Sequence, residues 1–126
     1  MNVEQDYRRR GFMGKVGFGK KPAVLVIDLQ KGFTDTTALA GSDLTNVVNA
    51  TCSILDVARK KTVPIIFTVI AYENDEDAGL WLKKAPAVTM FKYGSGYEEI
   101  DERLKRQVDE PIIYKRFASA FFGTPL

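Results

Sequence analysis

Residues 22–30 read PAVLVIDLQ. The stretch is a continuous aliphatic run, opened by Pro22 and interrupted by one charge, Asp28. A run apolar on both faces predicts a central strand of a parallel sheet, covered above and below. Pro22 suits the first position of such a strand, where no ladder hydrogen bond is lost. Downstream, VPIIFTVIAY (63–72) has the same character, and EPIIYKR (110–116) repeats it in shorter form.

Helical patterns separate these runs. Residues 43–61, DLTNVVNATCSILDVARKK, place Leu44, Val47, Val48, Thr51, Leu55 and Ala58 at three-and-four spacing, which predicts an amphipathic helix. Ser42 is its expected N-cap. Arg59, Lys60 and Lys61 fall in the last turn, where cations suit the helix dipole. GYEEIDERLKRQV (96–108) predicts a short second helix. Between them, residues 73–96 form a long mixed loop, of a length that is usually functional or carries short helical turns. Residues 1–21 are basic and glycine-dotted, and read as an arm with little regular structure.

The order strand, helix, strand, helix-bearing loop, strand is the βαβαβ half of a doubly wound, Rossmann-like parallel α/β sheet. Right-handed crossovers give the strand order 3-2-1. The expected division is an arm over 1–21 and a half-domain over 22–126, in which strand one lacks a neighbour on its outer side.

Composition narrows the function. The chain has 126 residues, 45% apolar and 27% charged, with net charge +2. These are ordinary values for a soluble globular domain. The charge is too small to argue for nucleic acid or an anionic membrane surface. Arg8, Arg9, Arg10, Lys15, Lys20 and Lys21 concentrate in the arm, which reads as solvated or packed on a neighbouring subunit. No apolar run approaches the ~20 residues of a membrane span. One cysteine, Cys52, permits no internal disulfide and fits a reducing, cytoplasmic setting. The sequence has no histidine. That removes imidazole metal ligands and the Ser-His and Cys-His dyads.

In open α/β sheets, ligands bind beyond the carboxyl ends of the strands. Asp28 ends strand one and Lys115 ends strand three, so both belong to that rim. Two readings stand. Either they form a functional pair, or Asp28 caps the next turn and Lys115 is a solvated strand end. A buried Asp–Lys pair is a costly device for stability alone. The residues after strand one, DLQKGF, lack the G-x-G-x-x-G of a dinucleotide site. They also lack the adjacent second carboxylate of a magnesium-dependent phosphoryl-transfer aspartate. Gly94, Ser95 and Gly96 have the composition of an anion nest, but a plain loop into the next helix is the favoured reading. Cys52, mid-helix beside Val48 and Leu55, reads as a packing residue.

Two separated motifs resemble the isochorismatase-like cysteine hydrolases. They are PAVLVIDLQKGFTD (22–35) and IIYKRFASAFFGTPL (112–126), with Lys115 ahead of Ser119, Ala120 and Phe121. The arm and the stretch DAGLWLKKAPAVTMFKYGSGYEEIDERL (77–104) look most like the N-carbamoylsarcosine amidohydrolase branch. The resemblance implies a catalytic Asp-Lys-Cys triad, of which Asp28 and Lys115 match two members. It places the cysteine after a fourth strand, outside this sequence, so the chain is expected to stop before its nucleophile and to be inactive alone. The implied substrate is a small amide or ureido compound. The implied partners are further copies of the chain or a complementary C-terminal fragment. Relatives that hold zinc do so through histidines; with none here, no metal and no cofactor are expected.

Overall fold

The computed structural model describes residues 2–126. Three parallel strands form one sheet: β1 (Val24–Ile27), β2 (Ile65–Ile70) and β3 (Ile112–Lys115). β2 lies in the middle, so the order is 3-2-1. Val24 pairs with Ile65 and Ile27 with Thr68; Phe67 pairs with Ile112 and Ile70 with Lys115. This is the expected half of a doubly wound sheet.

The crossover from β1 to β2 is helix α3 (Thr45–Lys60), numbered after two shorter helices, α1 (Val3–Arg9) and α2 (Lys31–Thr34). Val48, Leu55 and Ala58 of α3 pack on Val26, Ile65 and Phe67, and Leu104 closes the cluster. Each side chain taken fully from water contributes about 1.5–3 kcal/mol. That area, rather than helix propensity, holds the element. The last turn is anchored by Arg59. Its guanidinium donates to both carboxylate oxygens of Glu110, at 2.7 and 2.9 Å, tying α3 to the loop that feeds β3. The Arg59 guanidinium holds the Glu110 carboxyl below its usual range.

Several expectations are corrected. The arm does hold structure: α1 carries a capping box, with the Asn2 side chain accepting from the Gln5 amide and Gln5 answering to the Asn2 amide. Two orphan donors are thereby satisfied in a segment too short to fold on propensity. Helix α3 begins at Thr45 without a Ser42 cap. Asp43 takes the neighbouring role, accepting from the Thr45 amide at 3.0 Å. Val47 lies on the exposed side of α3, 48% accessible.

The stretch 96–108 is not a helix beyond one turn, Glu102–Leu104. The Leu29 carbonyl and the Lys31 and Gly32 amides bond to Asp101, Glu99 and Tyr97. These long-range bonds tie 97–101, a turn and an isolated bridge from Ile100 to Gln30, to the segment after β1, and the Asp101 side chain then caps the single turn. Tertiary hydrogen bonds override a local helical pattern.

β1 is also half as buried as its sequence predicts. Val26 is enclosed beneath α3, but Leu25 and Ile27 are exposed, at 37% and 62%. Among the described residues nothing covers their face or pairs with the outer edge of the strand. The long loop carries short helical turns, as expected: Asp75–Ala78, α4 (Leu80–Lys84) and Pro86–Met90. Among the described residues, no helix is long and apolar enough to cross a membrane.

Candidate active site

Side chains alternate along a strand. Val26 faces α3, so unbroken extension would send Asp28 the same way, under the helix. Instead Asp28 is left-handed, with φ 56°. Aspartate is among the few residues that tolerate this conformation. The twist turns its carboxylate to the opposite face of the sheet, the face of Thr68 and Lys115.

There the carboxylate is divided between two donors. Oδ1 accepts from the Thr68 hydroxyl at 2.8 Å. Oδ2 lies 2.8 Å from Nζ of Lys115. The Lys115 ammonium also donates to the Ala118 carbonyl at 2.9 Å, so two of its three protons are placed. Lys115 is 2% accessible and Asp28 19%. The picture of a solvated lysine at a strand end is therefore wrong; the two strand-end charges meet in an ion pair at the sheet's carboxyl rim.

Gln30, a residue not singled out from the sequence, fixes the turn that delivers Asp28. It is wholly buried. Its amide nitrogen donates to the carbonyls of Ile70 and Tyr97, and its Oε1 accepts from the Ile70 amide at 2.7 Å. The side chain thus imitates a ladder partner for the last residue of β2. Its only signature is a polar residue ending an aliphatic run. Gly32 follows for a steric reason: a Cβ there would sit 2.2 Å from Cε1 of Phe91. Phe91 fills that space and stacks at a tilt on Phe33, ring centres 4.7 Å apart.

Beside the pair lies a cavity of about 390 Å³, reached by Asp28 and Lys115 at one end. Its body is lined by Phe33, Ile70, Tyr72, Trp81, Val88 and Phe91. The Tyr72 hydroxyl donates to the Arg116 carbonyl at 3.1 Å, holding the chain just after β3 against this wall. Burial raises the Tyr72 phenol above its usual range, so it serves as a neutral donor.

The remaining candidates lie elsewhere. In the Gly94–Gly96 loop, the Gly94 amide and Ser95 hydroxyl donate to the chain's own Glu98, at 2.6 and 3.0 Å. That loop is filled by an internal carboxylate. Cys52 packs on the α3 side of the sheet, with its thiol against the Arg103 carbonyl at 3.3 Å, across the sheet from Lys115. Among the described residues, no group of three or more His, Cys, Asp or Glu side chains converges as a metal site.

Residues 22–126 match the Isochorismatase domain. The chain is 34% identical over 127 aligned positions to N-carbamoylsarcosine amidase of Arthrobacter sp, covering 95% of this chain and 48% of that protein. It is 33% identical over 115 positions to maleamate amidohydrolase of Pseudomonas putida, covering 89% and 54%. The chain therefore spans about half the length of the curated relatives it matches. Among solved structures, a cysteine hydrolase from Pseudomonas syringae pv. phaseolicola superposes with a TM-score of 0.77 at 28% identity, over 82% of this chain and 50% of that one.

Proposed function

This chain belongs to the isochorismatase family, and on that premise we propose that it supplies the aspartate–lysine half of a cysteine hydrolase. The proposed reaction cleaves the C–N bond of a small amide or ureido substrate, in the manner of an N-carbamoylsarcosine amidase. The observation that carries the reading is the 2.8 Å pair between Asp28 and Lys115 at the carboxyl rim of the sheet. A pair so buried is poorly explained by stability alone.

In this reading the nucleophile is a cysteine outside this chain, from a following segment or a second polypeptide. Its thiol proton passes to Asp28, and the Lys115 ammonium stabilises the thiolate. The thiolate attacks the carbonyl carbon. As the tetrahedral intermediate collapses, the C–N bond breaks and Asp28 returns the proton to the departing nitrogen. A water then gives its proton to Asp28 and its oxygen to the acyl-enzyme carbonyl, which releases the acid and regenerates the thiol. For a ureide such as N-carbamoylsarcosine, the products are sarcosine, carbon dioxide and ammonia. Thr68 holds Asp28 at Oδ1, which leaves Oδ2 and the lysine toward the reacting atoms.

The test is ammonia release from N-carbamoylsarcosine and simple amides. The chain alone should release none, and the chain joined to the cysteine-bearing segment should turn over. In that form Asp28→Asn and Lys115→Ala should each remove most of the turnover while the fold survives. Lys115→Arg should also be poor, since a guanidinium is bulkier and more diffuse than an ammonium. Near-normal turnover in either of the first two variants would overturn the assignment. So would activity of the chain alone that Cys52→Ser abolishes.

A second reading, a non-catalytic module that pairs with another chain, is favoured by the uncovered face and open edge of β1, where Leu25 and Ile27 are exposed. It predicts stable association with a partner and no ammonia from the assembled complex.

A further inference from the structure

Thr68 is 1% accessible and lies in register with Ile27, the residue before Asp28. A buried strand position of this kind is met equally well by valine, so burial alone does not call for the hydroxyl. Its use is specific. The Thr68 carbonyl accepts from the Asp28 amide at 3.0 Å, and the Thr68 hydroxyl donates to Asp28 Oδ1 at 2.8 Å. Backbone and side chain of the aspartate are thus held by one residue. They are held at a position whose φ, 56°, is uncommon outside glycine.

The second tether on Asp28, the Lys115 ammonium 2.8 Å from Oδ2, depends on charge. When Asp28 takes the thiol proton, the S–H bond breaks, an O–H bond forms on the carboxyl, and the electron pair stays on sulfur. The carboxyl is then neutral, and the attraction of the lysine passes to the thiolate. The hydroxyl bond to Oδ1 needs no charge: in the acid, Oδ1 is the carbonyl oxygen and still accepts. Without that bond the neutral carboxyl is free to turn about its soft χ2. We propose that Thr68 is a positioning residue, which holds the Asp28 carboxyl through the stage when the ion pair is discharged and so fixes Oδ2 as the oxygen that receives and returns the proton. As the C–N bond breaks, the O–H bond at Oδ2 breaks in turn and the proton passes to the departing nitrogen. The inference rests on the amide-hydrolase reading and deepens it.

The test uses the chain joined to the cysteine-bearing segment, in a Cys52→Ser background so that only the supplied thiol reacts. Two rates are compared. One is ammonia release from N-carbamoylsarcosine, whose departing nitrogen needs the returned proton. The other is the p-nitrophenolate burst from p-nitrophenyl acetate, whose phenolate leaves without one. Thr68→Val is expected to lower kcat for the amide about tenfold or more with KM little changed, since misplacing a reacting group by about 1 Å costs on the order of 100-fold. The ester burst should slow by about threefold at most, because the thiol proton is accepted while the ion pair still holds. Thr68→Ser keeps the hydroxyl and should recover most of the amide rate. Thr68→Ala, smaller at the same site, gives the same comparison if the valine variant misfolds. Equal slowing of amide and ester, or no recovery in the serine variant, makes Thr68 merely structural and overturns the proposal. Near-normal amide turnover without the hydroxyl overturns it as well. An unaltered joined form that releases no ammonia is a different result: the hydrolase reading fails, and the positioning role falls with it.

Discussion

Replacing Lys115 by methionine keeps the length of the side chain and deletes its charge. The lysine is 2% accessible and its ammonium lies 2.8 Å from the Asp28 carboxylate. At an effective dielectric constant near 20, that separation corresponds to about 6 kcal/mol of attraction. Desolvation of the two ions costs several kcal/mol each, so the pair taken whole is near break-even. Removing one partner is different. Asp28 keeps only the Thr68 hydroxyl, and the Ala118 carbonyl loses its donor. Breaking a buried pair in this way typically costs about 3–5 kcal/mol. Asp28 retains some access to water, so about 3 kcal/mol is expected for Lys115→Met. The double variant Asp28→Asn, Lys115→Met leaves no stranded charge and should recover at least half of that loss. Urea unfolding followed by circular dichroism measures both, with equal slopes confirming that the compared states are alike. A single-variant loss below about 1 kcal/mol, or a double variant no better than the single, would refute the reasoning that Lys115 neutralises a buried carboxylate.

Gly32→Ala should destabilise by about 1–3 kcal/mol through overpacking, because its new methyl would meet the Phe91 ring; unchanged urea stability would show that Phe91 moves aside freely. Asp101 is held at about 2 rather than 3.8, chiefly by the Arg103 guanidinium. A depressed carboxyl contributes stability that is complete above pH ~4 and lost as pH falls toward 2, about 2 kcal/mol in all. Asp101→Asn should flatten that acid limb in pH-dependent unfolding, and an unchanged limb would assign it to other groups. The Val24 and Asp28 amides bond to β2-side carbonyls, at Pro64 and Thr68, so the alternate amides of Leu25 and Ile27 face outward. In a dilute monomer these two should exchange fast, becoming protected when a fourth strand or another copy adds to the edge. Strong protection of both in a monomer by sedimentation would mean that the edge is covered.

The parallel sheet was legible because its strands are short aliphatic runs set apart by a helical period, and the rim charges were legible because each ends such a run. The failures have specific causes. Leu25 and Ile27 read as buried because composition reports what a strand can bury, not which neighbours lie over it. The helix expected over 96–108 reduced to one turn because its backbone partners, at Leu29, Lys31 and Gly32, lie some 70 residues earlier. Gln30 and Thr68 are illegible for a related reason: a single polar residue acquires its role only from the strand it ends up beside. The left-handed turn at Asp28 leaves no trace in composition, since aspartate is common in turns of every kind.

The position of β2 bears on how the site comes together in time. Asp28 and Lys115 are 87 residues apart (115 − 28), and β2 lies between their strands. Thr68 meets Asp28 across 40 residues, and Ile70 lies in register with Lys115 across 45 (115 − 70). One long chain closure is thereby split into two shorter ones of nearly equal span, each organised on the same central strand. Contacts of such sequence separation set the pace of assembly for sheets of this kind. A substitution in β2 that slows its docking on β1 would thus delay the meeting of aspartate and lysine while leaving the finished ion pair unaltered. Refolding kinetics would expose such a change where equilibrium stability of the pair would not.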